Sequence, residues 1–291
     1  MRTVSLLFHD VYLTDPRESG FVSAAADRYK LRLPDFEAQL QGLADLTRRR
    51  QGYGASALQG RRASLVRLAS PFTITVDDGG VSFYTLVADR LEALGWRAHC
   101  FVSTAMIGHP GFLSAAQIRE LDARGHVIGS HSVSHPPRFS ACTPGQMRDE
   151  WSHSRAALED ALGHEVVVAS VPGGYYSRRV AESAAESGLK VLYNSEPTTA
   201  ARNAHGLRLA GRYTLRQGDP TDAAARLVAS RWARYAAWAS WNAKGIVKPI
   251  LGPSYRRVAD WVLGGAHRPA SAKATAVPRS LGERGTRPTW S

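Results

Sequence analysis

Cysteine is scarce in this sequence, and long apolar runs are absent from it. Cys100 and Cys142 are the only cysteines among 291 residues, and they lie far apart without CxxC spacing. This argues against a framework of structural disulfides and against a cysteine-based zinc site. No stretch reaches the roughly 18 apolar residues that a membrane-spanning helix needs. The apolar run near the N-terminus stops at His9 and Asp10, which predicts a first β-strand rather than a secretory signal, and hence a cytoplasmic location.

Acidic residues are outnumbered by basic ones. The chain has 37 Lys and Arg against 25 Asp and Glu, a net charge of +12 and a sequence pI near 10.1. Much of the excess lies in residues 47–67 and after residue 254. Such a balance favours an acidic partner, which could be a nucleic acid, an anionic membrane surface or an acidic glycan. Since no nucleic-acid-binding fingerprint accompanies the charge, we expect a solvated basic face and no specific nucleic acid, with peripheral contact to anionic lipid left open. The sequence does not predict the oligomeric state.

Short β-like runs alternate with helix-like segments between residues 70 and 197. This alternation is typical of βα units and predicts an α/β fold with a parallel sheet. Start signals delimit the helices, such as Ser114 as an N-cap and Thr143 followed by Pro144 at the first helical position. The predicted strands are 72–76, 97–103, 126–130, 166–171 and 189–195, and the predicted helices are 82–95, 114–125, 143–163 and 177–188.

The sequence predicts a single main domain with additions. We assign residues 1–220 to this domain, including an insertion at about residues 15–70 that contains a helix over 34–50. A helical extension is expected at 221–264. The stretch 265–291 is rich in Pro, Ala, Ser and Arg and is expected to be disordered.

Four aromatic side chains recur at short helical intervals in the extension: Trp232, Tyr235, Trp238 and Trp241. Large aromatics at such intervals usually form the face of a helix that packs against a core. The spacing therefore favours a core-packing face, with a face that lies on a membrane surface as the alternative.

Two adjacent carboxylates, Asp77 and Asp78, follow the predicted strand 72–76 in the run ITVDDGG. In a partly buried place each raises the cost of ionising the other, unless a cation or a catalytic duty makes use of them. The runs DDGG, HSVSH and PGGYY each follow a predicted strand at its carboxyl end. Because the carboxyl ends of parallel strands share one face, where active sites form, we expect the three polar clusters to converge.

His131 and His135 are the expected partners of the two aspartates. Their i, i+4 spacing brings the Cβ atoms to about 5–6 Å in a helical turn, whereas an extended strand would separate them by about 13 Å. The site thus requires the chain to curl after Ser130. Two imidazoles and one carboxylate form a common site for Zn²⁺ or another divalent ion, and the second aspartate could take a proton from water. Taken alone, each motif has a plainer interpretation as two solvated or core histidines, or as a turn.

The motifs TVDDGG and HSVSH are similar to T-F-D-D-G and H-[ST]-x-x-H. These belong to the polysaccharide deacetylases of the NodB-homology type, carbohydrate esterase family 4. The opening SLLFHDV and the run SVPGGYYSRRVAESAAESGLKVLYNSEP also resemble members encoded among exopolysaccharide genes, and the resemblance covers about residues 3–215. It implies a distorted (β/α) barrel that binds a divalent metal ion, foremost Zn²⁺.

By this resemblance, Asp77 is the general base, and Asp78, His131 and His135 are the metal ligands. The implied reaction removes an acetyl group, foremost an N-acetyl group, from a carbohydrate in polysaccharide biosynthesis. The chain would then be a hydrolase of carbon–nitrogen bonds other than peptide bonds, with an N-acetylated carbohydrate as its substrate. Water deprotonated by Asp77 would attack the acetyl carbonyl, and the metal with a backbone N–H would stabilise the oxyanion.

Two motifs of that family are altered or missing here. The third motif, R-x-P-x-G, corresponds to residues 170–174, where the proline and the final glycine are kept and the N–H of Gly173 is the expected oxyanion donor. Ser170 stands in place of the arginine that holds the catalytic base, and Arg212 could supply the missing cation. The late Leu–His motif, whose histidine is the general acid, has His205 as its nearest candidate.

Four further side chains are expected near the active face. His9 and Asp10 end the first strand and could supply a proton or a hydrogen bond behind the metal ligands, with a structural role equally open. Tyr175 and Tyr176 follow the glycines after the fourth predicted strand of the βα series. They could stack on a sugar ring or pack as ordinary aromatics at a barrel mouth.

Two alternatives to a carbohydrate deacetylase stay open. The same site could hydrolyse a non-sugar amide. The chain could also be a catalytically weak glycan-binding protein. The missing arginine and late histidine favour this last alternative, whereas the retained ligands and base oppose it.

Overall fold

The computed structural model describes residues 3–56 and 72–251. The chain divides after Asn242 into two compact units, and the first of them holds the fold described below. The predicted tail 265–291 lies outside the described residues, as does much of the basic run 47–67. The domain boundary predicted at residue 220 stays a prediction.

A mostly parallel sheet, covered by helices, forms the centre of this unit. The strands are β1 (Val4–Phe8), β2 (Val11–Tyr12), β3 (Leu31–Arg32), β4 (Phe72–Val76), β5 (Ala98–Val102), β6 (Val127–Ser130), β7 (Val168–Ser170), β8 (Val191–Tyr193), β9 (Arg202–Ala204), β10 (Leu207–Ala210) and β11 (Tyr213–Thr214). The α-helices are α1 (Ala24–Asp27), α2 (Leu33–Ser56), α3 (Ala88–Ala93), α4 (Ala115–Ala123), α5 (Pro144–Leu162), α6 (Arg178–Glu186), α7 (Ala223–Ala229) and α8 (Arg231–Leu251).

Nine strands form the main sheet in the order β11-β1-β4-β5-β6-β7-β8-β10-β9, and β2 pairs with β3 separately. Neighbours in the main sheet are parallel except for the antiparallel pair of β10 and β9. The carboxyl ends of the parallel strands therefore share one edge. This edge carries the loops that follow β1, β4, β6 and β7.

The two faces of the sheet carry different apolar clusters, since successive side chains of a strand alternate between faces. Ile74, Cys100 and Ile128 belong to the main core, together with residues of α2, α3, α4 and α7. Phe101, next to Cys100 in β5, belongs instead to a small cluster with Val168 and Tyr193. Cys100 and Cys142 are both free thiols.

A connection of two residues, Gly211 and Arg212, joins β10 to β11. These strands lie near opposite ends of the strand order. Because the Cα atoms of Ala210 and Tyr213 can be at most about 11 Å apart, the sheet must curl until its two ends meet. Gly211 is packed so closely that an added Cβ would lie 2.2 Å from the carbonyl oxygen of Glu196. The result is a distorted barrel with the Arg212 side chain inside it.

Several predicted boundaries agree closely with the structure. Ser114 and Thr143 are the N-caps of α4 and α5, each with a complete capping box. The predicted helix over 82–95 differs, because it starts with a π-helical turn, Phe83–Val87, before α3. The helical extension predicted from residue 221 onwards is interrupted at Ser230, which separates α7 from α8.

The prediction of a core-packing aromatic face on α8 is wrong. Relative exposures are 67% for Trp232, 58% for Tyr235, 44% for Trp238 and 38% for Trp241. The smaller Ala237 is the α8 side chain that packs against the main core. Residues three apart on a helix differ by about 60° in direction, so the four aromatics spread over about half the circumference, which is a wider arc than the narrow stripe that packs against a core.

Candidate active site

The turn after β4 places two carboxylates side by side at the carboxyl edge of the sheet. Asp78 and Gly79 both have positive φ, at 78° and 79°, which reverses the chain directly after Asp77. Aspartate tolerates this left-handed conformation better than most residues do. A Cβ at Gly79 would also lie 3.1 Å from Val102, so glycine suits this position on two counts. Both carboxylates are buried.

The HSVSH segment curls after β6, as the spacing of its histidines requires. Ser132 and His135 have positive φ, at 67° and 51°. The Oγ of Ser130 accepts a hydrogen bond from the N–H of Ser132, and the Oγ of Ser132 accepts one from the N–H of His135. The curl brings the His131 and His135 rings to 5.0 Å between centroids.

Glu150 on α5 holds this turn from outside, a role that the sequence did not reveal. Its Oε2 accepts hydrogen bonds from the N–H groups of Val133 (2.8 Å) and Ser134 (2.9 Å), and its Oε1 accepts one from the Ser134 hydroxyl at 2.6 Å. One helical turn further along, the Ser154 hydroxyl is 2.8 Å from that of Ser130. Helix α5 therefore supports the loop that carries both histidines.

Asp78, His131 and His135 form a compact donor set. Their ligand atoms lie within 4.8 Å of one another. Asp78 Oδ1 is 3.4 Å from His131 Nε2 and 3.5 Å from His135 Nε2. Two ligands that each lie about 2.1 Å from a tetrahedral ion are about 3.4 Å apart, so the set fits Zn²⁺ in size as well as in chemistry. Within the described ranges, these three form the one such group of His, Cys, Asp and Glu side chains.

The tautomer of His131 also suits a ligand. Its Nδ1 lies 3.0 Å from the carbonyl oxygen of Ser170. Because a carbonyl can only accept, Nδ1 carries a proton, which leaves Nε2, 3.4 Å from Asp78 Oδ1, as the nitrogen that could bind a metal ion. A backbone carbonyl behind the far nitrogen of a ligating histidine is a common feature of metal sites.

Asp77 is paired with Arg212 instead of sharing the donor set. Arg212 donates two hydrogen bonds to it, from Nη1 to Oδ1 at 2.6 Å and from Nη2 to Oδ2 at 2.8 Å, and both side chains are buried. Burial by itself raises the pKa of Asp77, but Arg212 and His131 outweigh it and hold this pKa below its ordinary value. The carboxylate is therefore ionised and fixed in orientation 3.9 Å from His131 Nε2.

Ser170 connects this carboxylate to the histidine. Its Oγ lies 2.6 Å from His131 Nδ1 and donates a hydrogen bond of 3.1 Å to Asp77 Oδ1. Ser170 thus occupies the space beside Asp77 without supplying a charge, while the charge comes from Arg212.

His9 and Asp10 lie behind the aspartates, each in a different setting. The partly buried His9 ring interacts electrostatically with Asp78 and Asp77, yet loss of solvation dominates and lowers its pKa. Its Nδ1 has no hydrogen-bond partner among the described residues. Asp10 accepts hydrogen bonds from the hydroxyls of Ser19 (2.6 Å) and Ser82 (2.8 Å), and burial raises its pKa to about 6.

The residues after β7 reach the same edge of the sheet. Gly173 lies in a short 3₁₀ turn, Pro172–Gly174, with φ at 64°. Tyr175 is exposed beneath the Arg138 guanidinium, at 5.7 Å, and the Tyr176 ring lies 5.5 Å from the guanidinium of Arg202.

His205 lies elsewhere, so its assignment as a general acid is wrong on geometry. It occupies the turn between β9 and β10, where its Nδ1 is 3.4 Å from Glu182 Oε1 of α6. Since β10 runs parallel to β8, a residue before β10 lies at the amino edge, opposite the carboxylates. The position of His205 along the chain, which makes it the nearest candidate for the late Leu–His motif, does not indicate the edge of the sheet on which it lies.

Phe21 is a site residue that sequence reasoning missed. It follows β2 in the inserted segment, and its ring lies 4.9 Å from that of His135 and 5.1 Å from that of Phe112. An apolar residue in a long polar loop gives no local signal that it borders a histidine of the donor set. The insertion therefore forms part of the wall of the site.

Comparison with known proteins identifies the domain. Residues 69–192, which include the aspartate pair and both histidines, match the family model "Polysaccharide deacetylase". This part of the chain is therefore similar to the polysaccharide deacetylase family. The resemblance seen in the sequence is therefore confirmed. Among curated proteins, YxkH of Bacillus subtilis, named for the same family, is 28% identical over 181 residues. The match covers 60% of this chain and 62% of the relative's length.

Solved structures of other proteins share the fold. The deacetylase PplD of Streptococcus pyogenes, solved in complex with acetate, has a TM-score of 0.58 and 20% identity, over 76% of this chain and 96% of its own. IcaB from Ammonifex degensii has a TM-score of 0.56 and 21% identity, over 81% of this chain and 96% of its own. These similarities confirm the predicted distorted (β/α) barrel.

Proposed function

We propose that this chain is a metal-dependent hydrolase that removes N-acetyl groups from a carbohydrate in polysaccharide biosynthesis. One observation carries the proposal. An ionised carboxylate, Asp77, is held by Arg212 beside a separate donor set of one carboxylate and two imidazoles, on a polysaccharide deacetylase barrel. A base and a metal site side by side are what hydrolysis of an amide by water requires.

Asp78, His131 and His135 would hold the ion, for which Zn²⁺ is the best match to their donor atoms. When bound, a divalent ion supplies Lewis-acid polarisation of the acyl carbonyl and acidifies water. His131 is preset for its part by the Ser170 carbonyl, and His135 by the hydroxyl of Ser132.

Asp77 would accept the proton of the attacking water. Arg212 and Ser170 keep it ionised and fixed, so the proton acceptor is ready without rearrangement. The N–H of Gly173 would donate to the developing oxyanion. His9, which interacts with both aspartates and has an unpartnered Nδ1, would take the role that His205 cannot fill. It would accept the proton that Asp77 has removed from water and pass it to the leaving nitrogen.

The substrate would be an N-acetylated polysaccharide or its precursor. Tyr175 and Tyr176, at the carboxyl edge next to Gly173, offer aromatic surfaces on which sugar rings stack. The names of the matched family model and of the curated relative support the substrate class. The acetate bound to the Streptococcus pyogenes deacetylase matches the expected product. We place the reaction in the cytoplasm as part of the same proposal.

The test is an acetate-release assay on a panel of N-acetylated oligosaccharides, with and without a chelator. We expect release from at least one of them, its loss with chelator and its return with Zn²⁺. Asp78→Ala should bind less metal and release no acetate, whereas Asp77→Asn should retain the metal and release none. Retained metal and activity in both variants would show that these roles are wrong.

Two other outcomes would select the alternatives. Activity on small non-sugar amides without any on glycans would indicate a different C–N hydrolase on this barrel. Bound metal together with glycan binding, and no acetate release from any substrate, would indicate a binding protein.

A further inference from the structure

The described part of α8 presents a large aromatic surface to solvent. We call Trp232, Tyr235, Trp238 and Trp241 the aromatic helix surface; each is more than a third exposed. Apolar side chains of this size, exposed together, mark an interaction site more often than ordinary surface. The chemistry of the active site makes no use of them.

These rings pack mainly on one another. Trp232 and Tyr235 are 6.3 Å apart between centroids at 88°, and Tyr235 and Trp238 are 5.8 Å apart at 27°. The Arg231 guanidinium lies 5.2 Å from the Trp232 ring. Arg234 turns back to the carbonyl oxygens of Leu227 and Val228 in α7, at 2.7 and 3.2 Å, and so anchors α8 while the rings remain outside.

The sequence around this surface carries charge of one sign. No aspartate or glutamate occurs between Asp222 and Asp260, and residues 231–291 contain 11 Lys and Arg against 2 Asp and Glu. Most of the chain's net charge of +12 therefore comes from the segment that begins with the aromatic helix surface. A partner of complementary charge would be anionic.

We propose that the aromatic helix surface binds an anionic lipid bilayer and lies in its interfacial plane. Tryptophan and tyrosine prefer the membrane–water interface, where an apolar ring and a polar N–H or O–H are both satisfied. Basic side chains in the same part of the sequence add attraction to anionic lipid headgroups. None of the helices in the described residues is long and apolar enough to cross a membrane, which is consistent with contact at the surface.

Two other occupants fit the surface less well. A second copy of the chain would bring Arg231 against an equally basic face, and like charges repel. A glycan would stack on coplanar rings, but Trp232 and Tyr235 stand almost perpendicular. A bilayer interface requires neither acidic residues on a facing protein surface nor a set of coplanar rings.

Vesicle flotation of the full chain tests the proposal. Vesicles of phosphatidylcholine alone are compared with vesicles that also contain phosphatidylglycerol. The variant Trp232→Ser, Tyr235→Ser, Trp238→Ser removes the rings and keeps every positive charge. A control variant, Leu13→Ser with Leu94→Ser, removes two exposed apolar side chains elsewhere.

We expect the wild-type chain and the control to float with the anionic vesicles, and the triple variant to bind them roughly tenfold or more weakly. Equal binding by the triple variant would overturn the proposal, because the charge of the segment would then suffice. Absence of vesicle binding by the wild type would also overturn the proposal. In that case, loss of a dimer in the triple variant would identify a second copy of the chain as the occupant, and loss of soluble-glycan binding would identify a glycan. Acetate release from a soluble oligosaccharide should be unchanged in the triple variant, which separates this test from that of the proposed function.

Discussion

The buried pair of Asp77 and Arg212 makes a demanding prediction about stability. Neither side chain is accessible, and two short hydrogen bonds join them. Arg212 also donates to the carbonyl oxygen of Asn194 at 3.1 Å. Replacing Arg212 by Met, which fills similar volume, leaves a buried carboxylate without its counter-ion. Breaking a buried pair from one side costs about 3–5 kcal/mol, so Arg212→Met should lower the free energy of unfolding by that amount at neutral pH.

The free energy of unfolding lost in Arg212→Met should decrease as the pH falls. The pKa of Asp77 lies below its ordinary value of 3.8, so its contribution to stability is present above that pH and is lost as the pH falls through the folded-state value. In Arg212→Met, burial is no longer opposed by the guanidinium, and the pKa of Asp77 rises. The variant therefore regains stability on acidification as Asp77 takes up a proton, and its deficit should narrow from pH 7 towards pH 4.

Urea unfolding of four proteins measures this. The wild type, Asp77→Asn, Arg212→Met and the double variant form a cycle in which the double variant should be less destabilised than the sum of the single ones. Arg208→Met is the matched control, since Arg208 is an exposed arginine of β10, and it should change little. In the acetate-release assay, the acidic limb of the pH profile should move to higher pH in Arg212→Met. Additive free energies and a deficit that does not vary with pH would refute the pairing.

Two further predictions concern residues around the site. Glu150→Ala should weaken Zn²⁺ binding by roughly 10- to 100-fold in a direct titration, because the turn carrying both histidines loses three hydrogen bonds, whereas Asp149→Asn next to it should not. Equal affinities would show that the turn is stable without α5. Asp10→Asn should stabilise the protein at pH 7 by up to about 3 kcal/mol. Burial raises the pKa of Asp10 from 3.8 to about 6, so the contribution of the protonated Asp10 to stability is fully present below pH 3.8 and is lost as the pH rises through 6. Asparagine stays neutral and avoids that loss. Stability curves of Asp10→Asn and wild type with the same slope between pH 4 and 6 would contradict it.

Local signals explain what the sequence could predict. The caps at Ser114 and Thr143 act within one helical turn, and the alternation of strands and helices needs only neighbouring residues. The donor set could also be predicted from the sequence, because Asp78 belongs to one short motif and both histidines belong to another. A parallel sheet then brings any two such motifs to the same edge.

Long-range closure explains what the sequence could not predict. Arg212 pairs with a residue 135 positions away, and only the curl of the sheet brings them together. Glu150 reaches the histidine turn from the outside of α5, which no short motif records. The position of His205 along the chain makes it the nearest match to the late motif, but the direction of β10 decides which edge of the sheet it occupies. The aromatics of α8 had a helical spacing, but spacing alone does not say whether a core lies opposite.

The missing arginine at position 170 therefore has a physical answer. A buried base needs a cation, and the barrel offers more than one strand from which a side chain can reach it. Ser170, on β7, keeps a hydrogen bond to Asp77 and a contact with His131, while the guanidinium comes from the connection that closes the barrel. Asp77 therefore has its positively charged partner, although this charge comes from position 212 instead of position 170. The loss of that arginine is thus no argument for a catalytically weak protein, and the case for one depends on the proton donor, where Nδ1 of His9 is the atom to examine.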